Sequence, residues 1–87
     1  MYYTYAMYSK TENKFYIGYT DNIDRRIDEH ITLKTLSSKR IKNLIPVYYE
    51  ACMSKKDARC RELQLKTGFG RGYLRKRLED YLNSLRV

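Results

Sequence analysis

Glu62 is the acidic residue whose position most suggests chemistry. It lies between Ala58 and Leu65 on the apolar face of a predicted helix. A carboxylate on a buried face is costly unless it is paired or binds a metal. Magnesium prefers oxygen ligands, and one carboxylate with waters and a substrate phosphate is a common set. Glu62 is therefore a candidate metal ligand, with a salt bridge to a neighbouring arginine, such as Arg26 or Arg61, as the alternative.

Arg26 and His30 form a second candidate group. They are four residues apart in another predicted helix, whose apolar stripe is Ile23, Ile27 and Ile31. A guanidinium binds phosphate through two hydrogen bonds, and histidine can bind phosphate or transfer a proton near neutral pH. The pair indicates a phosphate-binding face, and a solvated basic helix face is the alternative. His30 is the only histidine, which excludes a zinc site with several histidine ligands.

Tyr5 and Tyr16 are the third candidate group, one on each strand of a predicted hairpin. If Tyr16 pairs opposite Ser9, both tyrosines point to the same face, and a one-residue shift would separate them. A phenol with its usual pKa of about 10 is a poor base unless a neighbouring cation such as Arg26 or a metal lowers that pKa. Spacing alone favours two structural core tyrosines.

Three strands are predicted to position these residues. Residues 1–9 and 15–19 form a hairpin whose polar connection is residues 11–14. Pro46 prevents a helix from continuing and precedes a third strand over residues 47–52.

Three helices complete the prediction. Thr20 or Asp21 caps the first helix, and Ser54 with Asp57 resembles a capping box that begins the second. The glycines of residues 68–70 end the second helix. The last helix carries an apolar stripe of Leu74, Leu78, Tyr81, Leu82 and Leu85. The order β-β-α-β-α-α predicts a single α+β domain over residues 1–87, with an antiparallel sheet flanked by helices.

Composition limits the class of partner. The 87 residues suffice for one domain, and 43% hydrophobic with 32% charged residues exclude a disordered chain. The net charge of +8 favours nucleic acid first and an anionic membrane surface second, with mere solubility as the alternative. No stretch has the pattern of a signal peptide or is long enough to span a membrane. We therefore expect a cytoplasmic location, where Cys52 and Cys60 are free thiols.

Taken together, these residues resemble the GIY-YIG nuclease family, most closely its small stand-alone, excision-nuclease-like members. The second family motif is matched by Tyr16-Ile17-Gly18, whereas the first keeps only its tyrosine, Tyr5. The spacing from there to Arg26, His30 and Glu62 also fits. The resemblance continues through residues 58–62 and 66–71 and covers nearly the whole chain.

The resemblance implies a three-stranded antiparallel sheet flanked by helices and hydrolysis of phosphodiester bonds in DNA. One Mg²⁺ or Mn²⁺ ion would be bound by Glu62, and Arg26 would hold the scissile phosphate. Either Tyr5 or Tyr16 would help activate the attacking water. His30 would assist that tyrosine or the phosphate. Together with Glu62 these are the expected catalytic residues, and an excision-nuclease-like protein suggests DNA repair.

One departure from the family concerns an asparagine that follows the glutamate in many members. The next asparagine here is Asn83, which is too far along the chain, and Lys66 is a candidate for part of that role. This departure bears on the rate of turnover more than on the reaction class.

Basic side chains outside the catalytic group are expected to contact phosphates. The candidates are Lys34, Lys39, Arg40, Lys42, Lys66, Arg71, Arg75 and Arg77. The nuclease fold is expected to use all 87 residues, so recognition of particular bases in DNA, or in RNA as the other possible substrate, would need a protein partner. Two alternatives remain: a catalytically weak or inactive nucleic-acid-binding module of the same fold, and a structural or regulatory subunit.

Overall fold

The computed structural model describes residues 1–30 and 44–85 of the chain. Their secondary-structure elements are β1 (Tyr2–Ser9), β2 (Lys14–Thr20), α1 (Ile23–Asp28), β3 (Leu44–Cys52), α2 (Lys55–Leu65), α3 (Gly68–Arg77) and α4 (Glu79–Ser84). The strands form one antiparallel sheet in the order β2-β1-β3, so β2 and β3 are its edges. The predicted α+β fold with a three-stranded antiparallel sheet is confirmed.

The β1–β2 hairpin decides which side chains share a face. Tyr16 pairs opposite Met7, so the assumed pairing with Ser9 is wrong by two residues. An even shift keeps every side chain on its face, and Tyr5 and Tyr16 therefore still point to the same side. The turn places Asn13 in the left-handed region (φ 54°), which asparagine tolerates better than most residues.

The two faces of the central strand pack against different helices. Tyr5 and Met7 pack with Ile23 and Ile27 of α1 on one face. The opposite face carries Ala6 and Tyr8, which pack with leucines of α2, α3 and α4. Because alternate residues of a strand point to opposite sides, this division follows directly from the sequence of β1. The sheet is a middle layer, with α1 on one side and the other three helices on the opposite side.

Strand β3 begins at Leu44, earlier than predicted, and includes Pro46. Pro46 lies opposite Met7 and Tyr48 lies opposite Ala6, so Val47 is the extra residue of a β-bulge. A proline fits here because β3 is an edge strand and the bulge interrupts the hydrogen-bond ladder.

Helix α1 and helix α2 begin at side-chain caps. Asn22 caps α1 by accepting a hydrogen bond from the Arg25 amide, so the predicted caps Thr20 and Asp21 are wrong. The Thr20 hydroxyl instead accepts a hydrogen bond from the Asn22 amide (3.1 Å), which orients the capping residue. The prediction for α2 is confirmed, since Ser54 Oγ accepts from the Asp57 amide.

Helices α3 and α4 correct the prediction for the end of the chain. The glycines of residues 68–70 do not end α2 but form the first turn of α3, which Thr67 caps through the Gly70 amide. The single predicted last helix is divided at Leu78, whose backbone (φ −108°, ψ 19°) leaves the helical region. The observed order is therefore β-β-α-β-α-α-α.

Gly70 and Gly72 provide a matched test of packing between α2 and α3. A Cβ at Gly70 would overlap the backbone carbonyl of Leu65, whereas a Cβ at Gly72 would meet nothing within 4 Å. We expect Gly70→Ala to lower the free energy of unfolding by about 2 kcal/mol or more, because backbone atoms cannot move aside easily. Gly72→Ala is expected to raise it by up to about 1 kcal/mol, the helix-propensity difference. Urea unfolding of both variants checks this, and equal effects would contradict the observed packing.

Candidate active site

The Tyr5 side chain crosses the sheet and ends against Gly18 on the edge strand. Tyr5 pairs with Gly18, and a Cβ on Gly18 would overlap the hydroxyl and Cζ of the Tyr5 ring. The structure describes no glycine with a positive φ. Gly18 is therefore required for space and not for backbone conformation. This glycine lets a tyrosine of the central strand place its hydroxyl at the sheet edge.

Arg26 meets that hydroxyl from α1. Its Nε donates a hydrogen bond to Tyr5 Oη (2.9 Å), and its guanidinium lies 5.7 Å from the centre of the Tyr5 ring. Its Nη1 lies 3.7 Å from Glu29 Oε1, and 42% of its side chain is exposed. The hydrogen bond that Arg26 donates to Tyr5 is the main cause that raises the pKa of Arg26. A permanently charged, partly exposed guanidinium is thus held beside a phenol.

Glu62 lies on α2, on the opposite side of the sheet. Ala58 and Leu65 of the same helix are buried, as predicted, and only 15% of the Glu62 side chain is exposed. Its Oε2 accepts a hydrogen bond from Lys66 Nζ (3.1 Å), and its Oε1 lies 3.5 Å from Arg59 Nε. The alternative, a salt bridge to a neighbouring arginine, is observed with Arg59. The two arginines named as examples have other partners, since Arg61 pairs with Glu50 and Arg26 pairs with Tyr5 and Glu29.

The two halves of the site approach the same stretch of the edge strand. The Tyr5 hydroxyl lies against Gly18 from one face. On the other face the Arg59 guanidinium lies 5.2 Å from the ring centre of Tyr19 and also contacts Glu62. Since Gly18 and Tyr19 are consecutive, both groups approach the side of β2 that, among the described residues, pairs with no further strand. A ligand bound along this edge could be contacted from both faces.

Tyr16 has a different environment from Tyr5, although both point to the same face. Its hydroxyl donates a hydrogen bond to Glu12 Oε1, and Lys14 Nζ lies 5.5 Å from its ring centre. The hydrogen bond to Glu12 is the main cause that raises the pKa of Tyr16, followed by burial and the negative charge of Glu12. A raised pKa makes the Tyr16 phenolate harder to form.

Replacing Glu12 by Gln is expected to lower the pKa of Tyr16 towards the ordinary tyrosine value. The change removes the carboxylate whose hydrogen bond and charge favour the neutral phenol. Because the folded pKa is raised, this contact stabilises the fold below the ordinary tyrosine pKa, and the contribution is lost as pH rises through the folded value. NMR titration of ¹³Cζ-labelled tyrosine measures the shift. Glu29→Gln serves as the control, and an equal shift in it would contradict the assignment.

His30 lies just beyond the end of α1, and its Nε2 is hydrogen-bonded to the carbonyl oxygen of Leu44. With Nε2 as the donor, the neutral ring carries its lone pair on Nδ1. The predicted pair of Arg26 and His30 therefore has two different partners, one on the central strand and one on β3.

The predicted phosphate contacts fall into three groups. Lys34, Lys39, Arg40 and Lys42 lie outside the described residues. Lys66 and Arg71 line a cleft between β2 and the α2–α3 junction, which Tyr16 also lines. Arg75 binds the hairpin turn through Asn13 O (2.9 Å) and stacks on Phe15, and Arg77 lies on the exposed side of α3.

Two neighbours of the site were not predicted from the sequence. Arg59 lies one helical turn before Glu62, and the three-residue spacing within a predicted helix was a signal for that contact. Glu12 contacts Tyr16 because the hairpin turn brings the two residues together. They are four residues apart outside a helix, and that spacing alone does not predict a contact.

The donor set around Glu62 limits which metals fit. Within residues 1–30 and 44–85, no group of three or more His, Cys, Asp and Glu side chains could hold a metal ion. That excludes a fully protein-ligated zinc site in this part of the chain. One carboxylate is enough for a magnesium ion that takes its other ligands from water and phosphate. Both oxygens of Glu62 now face cations, so the ion would have to displace Arg59 or Lys66 from the carboxylate.

Comparison with known proteins identifies the family of this chain. The GIY-YIG catalytic domain matches residues 1–77, which include every candidate catalytic residue. The chain belongs to the GIY-YIG family. A UPF0213 protein of Limosilactobacillus reuteri (strain DSM 20016) is 37% identical over 68 residues, covering 75% of this chain and 70% of that protein. No solved structure matches the chain significantly.

The family match ends at Arg77, the last residue of α3, so α4 (Glu79–Ser84) lies beyond the matched region. Among the helices that the structure describes, none has the length and hydrophobicity that a membrane-spanning helix requires.

Proposed function

We propose that this GIY-YIG domain is a divalent-metal-dependent endonuclease that hydrolyses phosphodiester bonds in DNA. The observation that carries the proposal is the hydrogen bond from Arg26 Nε to the Tyr5 hydroxyl at Gly18. It joins a phosphate-binding group to a group that can move a proton, in a chain whose residues 1–77 match a catalytic domain.

Arg26 would bind the scissile phosphate. Its contacts within the described residues use Nε and Nη1, and the side chain is 42% exposed. A guanidinium held on one side by Tyr5 and Glu29 loses little further freedom when it binds a phosphate oxygen. A positive charge fixed at this position would stabilise the negative charge that develops on the phosphate in the transition state.

Tyr5 is the tyrosine that we assign to activation of the attacking water. Its oxygen accepts a hydrogen bond from a cation, so negative charge that forms on this oxygen is stabilised. The Tyr16 hydroxyl instead donates a hydrogen bond to the Glu12 carboxylate, and this contact raises the pKa of Tyr16. Tyr16 would instead position substrate or water beside the hairpin turn, where its hydroxyl meets Glu12.

Glu62 would hold the metal ion, Mg²⁺ or Mn²⁺. When bound, such an ion lowers the pKa of its water and offsets charge on the transition state. Lys66 and Arg59 hold the Glu62 carboxylate in its observed orientation. When Glu62 binds the metal ion, these two side chains would be released to contact the phosphate. Lys66 could in this way serve part of the role of the family's asparagine.

His30 would have a supporting role. With Nε2 bonded to Leu44, the Nδ1 lone pair can accept a proton from the tyrosine or a hydrogen bond from water.

The net charge of +8 supports DNA as the substrate, with RNA as a further candidate. We propose a single domain over residues 1–87, a cytoplasmic location, a role in DNA repair and a protein partner that supplies specificity.

The proposal is tested by incubating wild-type protein with supercoiled plasmid and with labelled branched or single-stranded DNA. Nicking that requires Mg²⁺ or Mn²⁺ and stops with EDTA would support it. If no substrate is cut while binding remains salt-sensitive, the protein is a nucleic-acid-binding module without catalysis. If neither cleavage nor salt-sensitive binding occurs, both nucleic-acid functions are excluded. The positive net charge of the protein then serves solubility, and the alternative of a structural or regulatory subunit is favoured.

A further inference from the structure

Helix α3 carries an open groove that the proposed mechanism does not use. Its volume is about 490 Å³, and it is lined by Gly68, Phe69, Gly72, Tyr73, Lys76 and Arg77. A groove of this size lies in the range of small-molecule sites, roughly 300–1,000 Å³. Apart from its two basic residues, the lining is aromatic or glycine, and none of the six residues is acidic.

The wall of the groove is a rigid aromatic platform. Phe69 is 59% exposed and is stacked on Tyr73, with ring centres 6.2 Å apart and planes 22° apart. Two residues contact Tyr73 in turn. The Arg61 guanidinium lies 4.8 Å from the centre of the Tyr73 ring, and the hydroxyls of Tyr48 and Tyr73 are hydrogen-bonded at 3.2 Å. An exposed phenylalanine supported in this way offers a flat apolar surface that needs no rearrangement to bind a planar ligand.

The floor and rim of the groove favour a particular kind of ligand. A Cβ at Gly72 would meet nothing within 4 Å, and one at Gly68 would meet only the Arg71 side chain at 3.6 Å. The helix backbone is therefore open to close approach by a ring. Lys76 and Arg77 place two positive charges beside this surface, which complements a phosphate attached to the ring.

We propose that this groove binds an unpaired base of the nucleic acid, stacked on Phe69, with its phosphate beside Lys76 and Arg77. The proposal rests on the proposed function and names its substrate class as DNA with a single-stranded or flipped-out nucleotide. A duplex cannot offer a base face, because its bases are stacked on each other, whereas an unpaired base stacks readily on an exposed aromatic ring.

Binding without metal tests the groove separately from catalysis. In EDTA, fluorescence anisotropy gives the affinity for a labelled single strand and for the matching duplex, and a 2-aminopurine in the single strand reports stacking. We expect Phe69→Ala to weaken single-strand binding about 10-fold and to relieve 2-aminopurine quenching, with a change below about 2-fold for the duplex. Phe69→Tyr should keep both signals because it keeps the ring.

Leu63→Ala is the matched control, since Leu63 is an exposed apolar residue (66%) on α2 and does not line the groove. It should leave single-strand affinity unchanged. An equal loss in Leu63→Ala, or an unchanged affinity in Phe69→Ala, would overturn the proposal even if the wild type cuts DNA. Sedimentation of the wild type as a dimer that Phe69→Ala dissociates would also overturn it and identify a second copy as the occupant. Conversely, selective single-strand binding by a protein that cuts nothing would support the groove while the endonuclease proposal fails.

Discussion

Glu62→Gln is expected to reduce metal-dependent cleavage by about 10²–10³-fold or more while leaving the fold intact. Glutamine keeps the size of the side chain but removes the negative charge with which Glu62, as the proposed metal ligand, would hold a magnesium ion. Stability should change by less than about 1 kcal/mol, because Arg59 and Lys66 are 59% and 49% exposed and such pairs contribute little. Plasmid nicking measured beside thermal unfolding separates the two effects.

The control for this variant is Glu79→Gln, the same change in the first turn of α4 and beyond the region matched by the family. It should cleave like the wild type. Manganese titration followed by thermal shift gives a second reading that does not depend on turnover. Wild-type protein should be stabilised as metal rises, and Glu62→Gln should not. Full cleavage by Glu62→Gln would show that another group binds the metal.

The sequence was most informative where the signal is local. The hairpin, the Ser54 cap and the buried positions Ala58 and Leu65 were predicted correctly because turn residues, capping side chains and helical spacing act within a few residues. The helix break at Leu78 was missed because an apolar stripe continues across it. The first turn of α3 was misread because glycine usually ends helices, and here the close approach of Leu65 requires it.

The positions of Tyr5 and Tyr16 can be predicted from the sequence, but their hydrogen-bond partners cannot. The shared face of Tyr5 and Tyr16 could be predicted, since strand alternation needs only an even shift. Their different partners could not, because Arg26 reaches Tyr5 across 21 positions of sequence and Glu12 reaches Tyr16 through the turn. The choice between the two tyrosines therefore depends on tertiary contacts. The family resemblance identified the candidates but left that choice open.

Gly18→Ala is expected to lower kcat/KM about 10²-fold, the same loss as Tyr5→Phe. The added methyl would occupy the position of the Tyr5 hydroxyl, so the ring must move away and lose its hydrogen bond from Arg26. Loss of a positioned proton-transfer group costs about 10²–10⁴-fold. Moving one buried ring also costs roughly 1–3 kcal/mol of stability, which unfolding measurements would detect. Tyr5→Phe should retain the packing and lose only the hydroxyl.

The double variant distinguishes this explanation from simple damage to the sheet. If Gly18→Ala acts by displacing the Tyr5 hydroxyl, adding Tyr5→Phe should cause no further loss of activity, since the same group is already removed. If the losses multiply, Gly18 serves the reaction independently of Tyr5, for example by direct approach of substrate to the edge strand. If Gly18→Ala retains full activity while Tyr5→Phe is inactive, the ring adapts, and the observed contact at Gly18 does not position the hydroxyl.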